Sequence, residues 1–328
     1  MLRYVLSICC LLVTATVFAA PGPEMVDPAE AEKDQDFKIQ GEYLGDGTWI
    51  NPERQKCRIG AQVIARSEGK FQVVLFRGGL PGEGWERGDE QFALEAEREG
   101  DVTKLTKNDK QVGQIAGDIL SLLDEEGKNL AQLKRAERKS PTLGAKPPKG
   151  AVVLFDGTNV DRFPGATLTD MKTLEAGCTM KPEIRMSRIH IEFRLSWKPA
   201  ARGQQRSNSG VYIGGIPEIQ VLDSFGLEGA KNECGAFYGR RVPDVNMCFP
   251  PLVWQTYDVQ FSEPERDVEG RPTENIRVTV RHNGVVIHEG YDTRRKEHEL
   301  RRLHFQKHGN RVAYRNIWAV PAEIPELK

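Results

Sequence analysis

A carboxylate, an imidazole and two amides occur at spacings that could place them on the faces of neighbouring β-strands. The run Pro-Glu-Ile-Gln-Val-Leu-Asp alternates polar with apolar residues, so Glu218 and Gln220 should share one strand face. A second run, His-Phe-Gln-Lys-His, alternates in the same way and puts Gln306 and His308 on a common face of another strand. Any half-solvated antiparallel strand shows this alternation, so the pattern alone leaves an inert strand and a polar site both open.

The second half of the chain has the short runs and turn signals of an all-β fold. Nine such runs without a convincing helix predict a sandwich of two sheets. The pair Asn283-Gly284 supplies the positive φ angles of a tight hairpin, and the charged stretch 262–275 should be an exposed loop. The nine predicted strands are residues 152–155, 189–195, 210–213, 218–223, 256–261, 276–281, 285–289, 303–307 and 314–320.

The first half predicts a separate, small β-rich domain over residues 37–139. Runs such as 61–65 and 71–76 are apolar and separated by glycine-rich turns. Residues 111–133 could form an amphipathic helix, but three glycines in that stretch favour strands and turns.

Sequence patterns also mark the segments that precede and connect the two predicted domains. Residues 1–19 have the layout of a secretory signal peptide, with Arg3 before an apolar run that ends in small residues. The acidic residues 20–36 predict a flexible leader, and the Pro-rich and Gly-rich residues 140–150 predict a linker to a second domain at 151–328. These features predict export to the periplasm or the extracellular space, with no stable membrane insertion after signal cleavage.

Composition narrows the class of partner. The chain has 328 residues, 46 basic and 47 acidic, and a formal net charge of −1. No global field therefore draws it to nucleic acid or to anionic lipid, and the partner should be neutral. Signal cleavage leaves four cysteines, of which Cys234 and Cys248 are the favoured disulfide pair because they bracket one short loop.

Seven motifs of the second domain occur in an order that closely resembles the 3-keto-disaccharide hydrolase family. That family includes 3-keto-glycoside 1,2-lyases and 3-keto-2-hydroxyglucal hydratases, and the resemblance covers residues 150 to about 320. The motifs are Leu-Phe-Asp-Gly-Thr at 154–158, Asn-Ser-Gly-Val-Tyr at 208–212, Glu-Ile-Gln-Val-Leu-Asp at 218–223, Gly-Ala-Phe-Tyr-Gly at 235–239, Trp-Gln-Thr-Tyr-Asp at 254–258, His-Asn-Gly-Val at 282–285, and His-Gly-Asn at 308–310 with Tyr-Arg-Asn-Ile-Trp at 314–318.

The resemblance implies a concanavalin A-like jelly-roll sandwich and an enzyme that cleaves 3-keto-glycosides by β-elimination, hydration or both. His308 would then be the base or a metal ligand, and Glu218 a carboxylate ligand or an acid–base partner. One divalent metal ion of open identity would hold the developing enolate oxygen.

Substrate contacts follow from the same resemblance. Gln220 and Gln306 would orient sugar hydroxyls, and Tyr238 would donate a proton or stack. Asn208 is a further candidate for substrate binding, because the polar run 202–208 could form a loop at the site rim. A noncatalytic carbohydrate-binding protein on the same jelly roll remains open, because a fold does not fix a function. A structural protein of the cell envelope is a third interpretation.

Overall fold

The strands of this protein build two β units, a closed barrel and a sandwich. A computed structural model describes residues 23–50, 54–214, 216–296 and 302–322. The predicted signal peptide at 1–19 lies outside these residues. Within them, no helix combines the length and the apolar character needed to cross a bilayer.

Two short helices and one 3-10 turn are the helical elements of the described chain. They are α1 (Pro28–Ala31), α2 (Gln35–Ile39) and the 3-10 helix Gly203–Gln205. The strands of the first unit are β1 (Gly41–Thr48), β2 (Lys56–Ala65), β3 (Lys70–Arg77), β4 (Leu80–Pro81), β5 (Gly84–Trp85), β6 (Gln91–Glu99), β7 (Val102–Lys107), β8 (Lys110–Ala116), β9 (Ile119–Leu123) and β10 (Asn129–Ala136). Those of the second are β11 (Val152–Phe155), β12 (Leu174–Glu175), β13 (Cys178–Thr179), β14 (Met186–Arg194), β15 (Asn208–Ile213), β16 (Ile219–Leu222), β17 (Trp254–Phe261), β18 (Arg277–His282), β19 (Val285–Asp292), β20 (Leu303–Phe305) and β21 (Ala313–Pro321).

The first unit is a closed antiparallel barrel in the order β1-β10-β9-β8-β7-β6-β3-β2. Closure leaves no unpaired edge, which explains how so small a β unit avoids an exposed ladder. The glycines at 117 and 127 have φ angles of +55° and +78° and lie in the turns after β8 and β9. The sequence prediction of strands and turns over 111–133 is therefore confirmed, and the helix alternative is wrong.

The second unit is a β-sandwich, as predicted. One sheet has seven strands in the order β11-β21-β14-β17-β18-β19, with β12 paired to β21, and the other has four in the order β13-β20-β15-β16. The hairpin between β18 and β19 turns at Asn283 and Gly284, whose φ angles are +49° and +84°. All nine predicted strands occur, and residues 262–275 form the predicted loop.

The two units share apolar core. Strands β2 and β3 pair antiparallel, and their inward residues, among them Val63, Val73 and Leu75, fill the barrel. Their outward residues Ile64 and Phe76 pack instead into the core of the sandwich. A strand buried on both faces is nearly continuously apolar, which is the pattern that this part of the sequence shows.

Residues 24–36 differ from the flexible leader that composition predicts. Asp27 and Asp34 cap α1 and α2 by accepting hydrogen bonds from backbone N–H groups. Met25 pairs with Trp197 of the sandwich through two backbone hydrogen bonds, 3.0 and 2.8 Å long. The Glu24 carboxylate accepts a bond from Ser196 Oγ. Caps and tertiary contacts order a segment whose acidic composition suggested solvation.

The segment 140–150 also differs from a free linker, because its first half docks on the seven-stranded sheet. Thr142 Oγ1 donates to Asp258 Oδ2 at 2.7 Å, and Gly144 N donates to Glu192 Oε1 at 2.6 Å. The carbonyl of Ala145 accepts from Trp318 Nε1 at 3.1 Å. A chain with no apolar periodicity can still be held by its backbone, which composition does not predict.

Beneath this segment lies a buried charge network that the sequence analysis did not anticipate. His190 Nδ1 and Asp258 Oδ1 are 2.9 Å apart, and Arg315 Nε donates to Glu192 Oε2 at 2.7 Å. The side chain of His190 is fully buried and that of Glu192 is 1% exposed. These hydrogen bonds, together with those from Thr142 and Gly144 of the segment above, therefore replace the hydration that the charged groups lose on burial.

The favoured disulfide is not formed in this structure. Cys57, Cys178, Cys234 and Cys248 are all free thiols. Cys234 Sγ lies 3.2 Å from Tyr257 Oη, while Cys248 Sγ donates to the carbonyls of Leu222 and Phe249. Both thiols thus have polar partners in the core and pack as small buried side chains.

Candidate functional site

One face of the four-stranded sheet points away from the sandwich core and carries polar side chains. In the β15–β16 pair, Gly210 lies opposite Gln220, and in the β15–β20 pair, Tyr212 lies opposite His304. The intervening residues of β15, such as Val211, point into the core. The period of two in the sequence therefore does produce a polar face at this position.

Glu218 stands at the centre of that face, immediately before β16. Its Oε2 accepts a hydrogen bond of 2.5 Å from Tyr212 Oη. A Cβ atom added at Gly210 would lie 1.8 Å from Glu218 Oε1. The carboxylate is thus seated directly over Gly210, and only glycine leaves room for it there.

The phenol of Tyr212 links the carboxylate to a third residue. Gln306 Nε2 donates to Tyr212 Oη at 3.3 Å. Burial and the neighbouring Glu218 carboxylate raise the pKa of Tyr212, so the phenol stays protonated at neutral pH. The site therefore has a protonated hydroxyl next to an ionisable carboxylate.

Burial also raises the pKa of the Glu218 carboxyl, while the hydrogen bond from Tyr212 and the charge of His308 oppose the rise. A carboxylate with a raised pKa is a better base, because its proton affinity is nearer to that required at neutral pH. His308 is exposed at the rim, close enough to Glu218 to act on its charge.

His308 and Gln306 reach the site from a loop and not from a strand. Strand β20 ends at Phe305, so the predicted strand face for these two residues is wrong. Gln306 is still fixed, since its N–H donates to the Gly210 carbonyl at 2.9 Å and its carbonyl accepts from Ser209 Oγ at 2.7 Å. Gly309, with φ of +75°, then turns the chain away.

Asn208 and Gln220 lie beneath the rim instead of on it. Each is 1% exposed. Asn208 Nδ2 donates to Gln204 Oε1 at 3.0 Å, and Gln220 Nε2 donates to the same oxygen at 3.1 Å. Gln204 Nε2 in turn donates to the Asn232 carbonyl at 2.8 Å. The structure thus gives these two amides a supporting position under Gln204 and Asn232, where the resemblance implied direct contact with a sugar.

Tyr238 is an exposed residue among those predicted for the site, with 44% of its surface accessible. Its N–H donates to the Glu218 carbonyl at 2.9 Å. Its phenol is near enough to Tyr212 to contribute to the raised pKa of that residue. Tyr238 therefore offers an aromatic face and a hydroxyl at the rim.

A surface depression of about 300 Å³ borders the Tyr212 side chain, at the lower end of the volumes found for small-molecule sites. Arg302 and His304 also line it. His304 Nδ1 is 2.9 Å from Thr179 Oγ1, which fixes the ring beside Tyr212. Glu218 and His308 do not line this depression, so Tyr212 is the residue that it shares with the site.

A metal ion at this site would need several ligands from the side chains around Glu218. Glu218 and His308 could supply one oxygen and one nitrogen ligand. No group of three or more His, Cys, Asp or Glu side chains capable of holding a metal occurs in the described ranges. Tyr212 already occupies one oxygen of the carboxylate. The side chains therefore do not form a metal-binding set of their own.

Sequence reasoning missed Tyr212, Gln204 and Asn232. The signal for Tyr212 was present, because it has the same parity as Gly210 on β15 and lies opposite His304. Gln204 and Asn232 come from the 3-10 helix and a loop, where no periodicity predicts orientation.

Residues 121–320, more than half of the chain, match the family model described as a 3-keto-alpha-glucoside-1,2-lyase-like domain. The chain belongs to this family. The match of the 3-keto-alpha-glucoside-1,2-lyase-like domain starts in β9 of the barrel, earlier than the start at residue 150 that the motifs indicate. Membership supports a carbohydrate-active function for the protein.

Two solved structures are similar to this 3-keto-alpha-glucoside-1,2-lyase-like protein, both described as a "putative glycosyl hydrolase" from Parabacteroides distasonis. One, at 2.13 Å resolution, is 24% identical with a TM-score of 0.45 and aligns over 53% of this chain and 85% of that chain. The other, at 1.70 Å, is 18% identical with a TM-score of 0.39 and aligns over 53% and 95%. No curated protein matches the chain.

The position of the Glu218 carboxylate over Gly210 can be tested without changing Glu218 or Tyr212. We expect Gly210→Ala to fold, because the atom in the way is the mobile end of a side chain, but to push the carboxylate off Tyr212. Turnover of a carbohydrate substrate should fall by about 100-fold, the lower range for a lost acid–base group. Gln260→Ala, an exposed change on β17 of the other sheet, is the control. Equal turnover in the two variants would contradict this position for Glu218.

Proposed function

We propose that this protein is an exported carbohydrate-active enzyme that cleaves 3-keto-glycosides by β-elimination, hydration or both, with net hydrolysis as the result. The observation that carries the proposal is the Tyr212–Glu218 pair, in which a carboxylate with a raised pKa adjoins a protonated phenol. A base next to a hydrogen-bond donor is the combination that enolate chemistry requires.

The first step is removal of the proton at carbon 2, which the ketone at carbon 3 acidifies. Glu218 takes this proton, and the electron pair of the C–H bond forms the enolate with its charge on the carbon 3 oxygen. Tyr212 has a single O–H, which Glu218 Oε2 accepts before the reaction. When Glu218 has taken the proton and lost its charge, this O–H is free to turn to the enolate oxygen, while the amide of Gln306 still donates to the phenol oxygen.

In the second step the enolate expels the group at carbon 1. The C1–O bond breaks, the carbon 3 carbonyl returns, and a double bond forms between carbons 1 and 2. The departing oxygen takes a proton from His308 or Tyr238, both of which are exposed to solvent. Hydration then adds a hydroxyl at carbon 1 and a proton at carbon 2, which gives the free 3-keto sugar.

No step in this scheme passes through a metal ion. The divalent ion that the resemblance implies stays a prediction. If one is bound, it would add charge at the carbon 3 oxygen, with Glu218 and His308 as the protein groups nearest to it.

The alternative is a carbohydrate-binding protein without turnover. The exposed Tyr238 favours it, since an aromatic ring at the rim of a polar face is a suitable platform for a sugar. The proposed periplasmic or extracellular location rests on the signal layout of residues 1–19.

The deciding experiment compares a chromogenic 3-keto-glucoside with the same glucoside bearing a hydroxyl at carbon 3. We expect release of the aglycone from the first only, because only the ketone acidifies the proton at carbon 2. His308→Ala should lower the release by about 100-fold if the imidazole protonates the leaving oxygen. Lys307→Ala, a neighbouring exposed residue, is the control. Repeating the assay with a chelator tests the metal.

The outcomes separate the two functions. Binding of both glucosides without release would favour the binding protein. Release that is unchanged in His308→Ala would remove that residue from the mechanism, and release that survives the chelator would remove the metal.

A further inference from the structure

We propose that the barrel positions the rim of the site, and that Arg87 is the positioning residue. The rim segment is defined here as residues 228–244, which carry Asn232 and Tyr238. That this rim contacts a carbohydrate rests on the proposed function, but the mechanical link between barrel and rim does not.

Arg87 lies in the turn that follows β5, which pairs with β4 in a small two-stranded sheet inserted in the chain between the barrel strands β3 and β6, and its side chain reaches across to the sandwich. Its Nη2 donates to the carbonyls of Glu228, Gly229 and Pro243 at 3.0, 3.1 and 3.0 Å. Its Nε donates to the carbonyl of Asp244 at 3.3 Å. One guanidinium therefore ties together both ends of the rim segment.

The residues between those ends form part of the site. The Asn232 carbonyl accepts from Gln204 Nε2 at 2.8 Å, which sets the position of the amide cluster. The Tyr238 N–H donates to the Glu218 carbonyl at 2.9 Å. If the two ends of the rim segment separate, Asn232 and Tyr238 lose their fixed distance from the carboxylate.

The shape of the contact favours an arginine on one side and a glycine on the other. Arginine reaches the four carbonyls from two nitrogens held in a rigid plane, Nη2 and Nε, whereas lysine has one nitrogen with three donors and would leave at least one carbonyl without a partner. A Cβ atom at Gly229 would lie 2.8 Å from Arg87 Nη2, and Gly229 has a φ angle of +82°. The rim backbone thus approaches the guanidinium more closely than another residue would allow.

Attachment of the barrel itself does not depend on Arg87. Ile64, Phe76 and Trp85 of the barrel belong to the apolar core of the sandwich. The side chain of Ile64 packs where a Cβ atom of Gly226 would be, 2.3 Å away. Removing the guanidinium should therefore loosen the rim without detaching the barrel.

The experiment compares Arg87→Ala and Arg87→Lys with Arg77→Ala in the full chain. Arg77 is the matched control, because it forms an exposed barrel ion pair with Glu90, 3.3 Å long. In Arg87→Ala we expect amide hydrogen exchange in residues 228–244 to accelerate about tenfold and KM to rise about tenfold, the effect of losing one strong charged hydrogen bond. The kcat value should change less than about twofold, because the Tyr212–Glu218 pair is untouched.

Arg87→Lys should show an intermediate effect, and Arg77→Ala none at the rim. Unchanged exchange and KM in Arg87→Ala would overturn the proposal, as would equal effects in the control. If the wild-type protein does not cleave 3-keto-glucosides, the exchange measurement still decides the inference. Faster rim exchange would then support the barrel–rim link and count only against the proposed reaction.

Discussion

Replacing Glu218 with glutamine is expected to lower kcat/KM for a 3-keto-glucoside by about 100-fold to 10,000-fold. The amide keeps the shape of the side chain and can still accept the hydrogen bond from Tyr212 Oη. It cannot take the proton from carbon 2. The loss should therefore appear in turnover, with the affinity for the sugar and the unfolding midpoint close to those of the wild type.

The pH profile distinguishes a base from a structural carboxylate. Because burial raises the pKa of Glu218, the rate should increase as pH rises through that value, which lies above the ordinary 4.5 of a glutamate. This acidic limb should be absent from the residual rate of the Gln variant. Glu289→Gln, an exposed change on β19 of the other sheet, is the control. Wild-type turnover in Glu218→Gln would remove Glu218 from the chemistry.

Replacing Glu192 with alanine is expected to destabilise the fold by about 3–5 kcal/mol, the cost of leaving a buried ionic partner uncompensated. The variant would deprive Arg315 of its partner, and would leave Gly144 N and Asn316 Nδ2 without the acceptor at 2.6 and 2.8 Å. Urea unfolding at neutral pH measures the change. Glu289→Ala should change the free energy of unfolding by less than about 0.5 kcal/mol, because it alters only an exposed side chain.

The same network predicts how stability depends on pH. Burial would raise the pKa of Glu192, but hydrogen bonds from His190, Asn316, Gly144 and Arg315 prevail and hold it at about 2, against an ordinary 4.5. The carboxylate therefore contributes about 3 kcal/mol at pH values above 4.5, and this contribution is lost as pH falls towards 2.

In the same network, the contribution of His190 to stability depends on pH in the opposite direction. Burial lowers its pKa, but the hydrogen bonds and charges of Asp258 and Glu192 raise it above the ordinary 6.5. The stabilising contribution of His190 is present below pH 6.5 and is lost as the pH rises through the raised pKa of its imidazole. Unfolding of the wild type should thus be most costly near pH 5–6. The acidic slope should become smaller in Glu192→Ala but should not vanish, because the lowered pKa of Asp258 also contributes to it. An acidic slope equal to that of the wild type would contradict the assignment to Glu192.

The strands of the sandwich could be predicted because each has a buried and a solvated face, or lies between turn residues of known geometry. Strand β16 follows the alternation around Gln220, and the hairpin at Asn283 follows its turn chemistry. The barrel could be predicted only as β-rich. Closure depends on the pairing of β1 with β10, which are far apart in the chain and have no local signal.

The site was predictable to the extent that it lies on strands. The alternation pattern placed Glu218 on a polar face and singled out His308, and the family resemblance added Tyr238. The predicted side-chain orientation was wrong where the chain leaves the sheet, as at His308. The predicted exposure of Asn208 was also wrong, because its amide is covered by Gln204. These outcomes depend on loop conformation, which a strand period cannot encode.

The docked first half of the segment 140–150 limits how this protein can vary. Because Thr142, Gly144 and Ala145 bond to fixed points on the seven-stranded sheet, each position along the segment has an assigned place. A residue inserted between Ser140 and Ala145 would shift the barrel end against the sheet, or break the contacts to Asp258 and Glu192. The length of this connection is therefore set by the geometry of the sheet beneath it, and the barrel cannot be exchanged for another domain as a tethered module could.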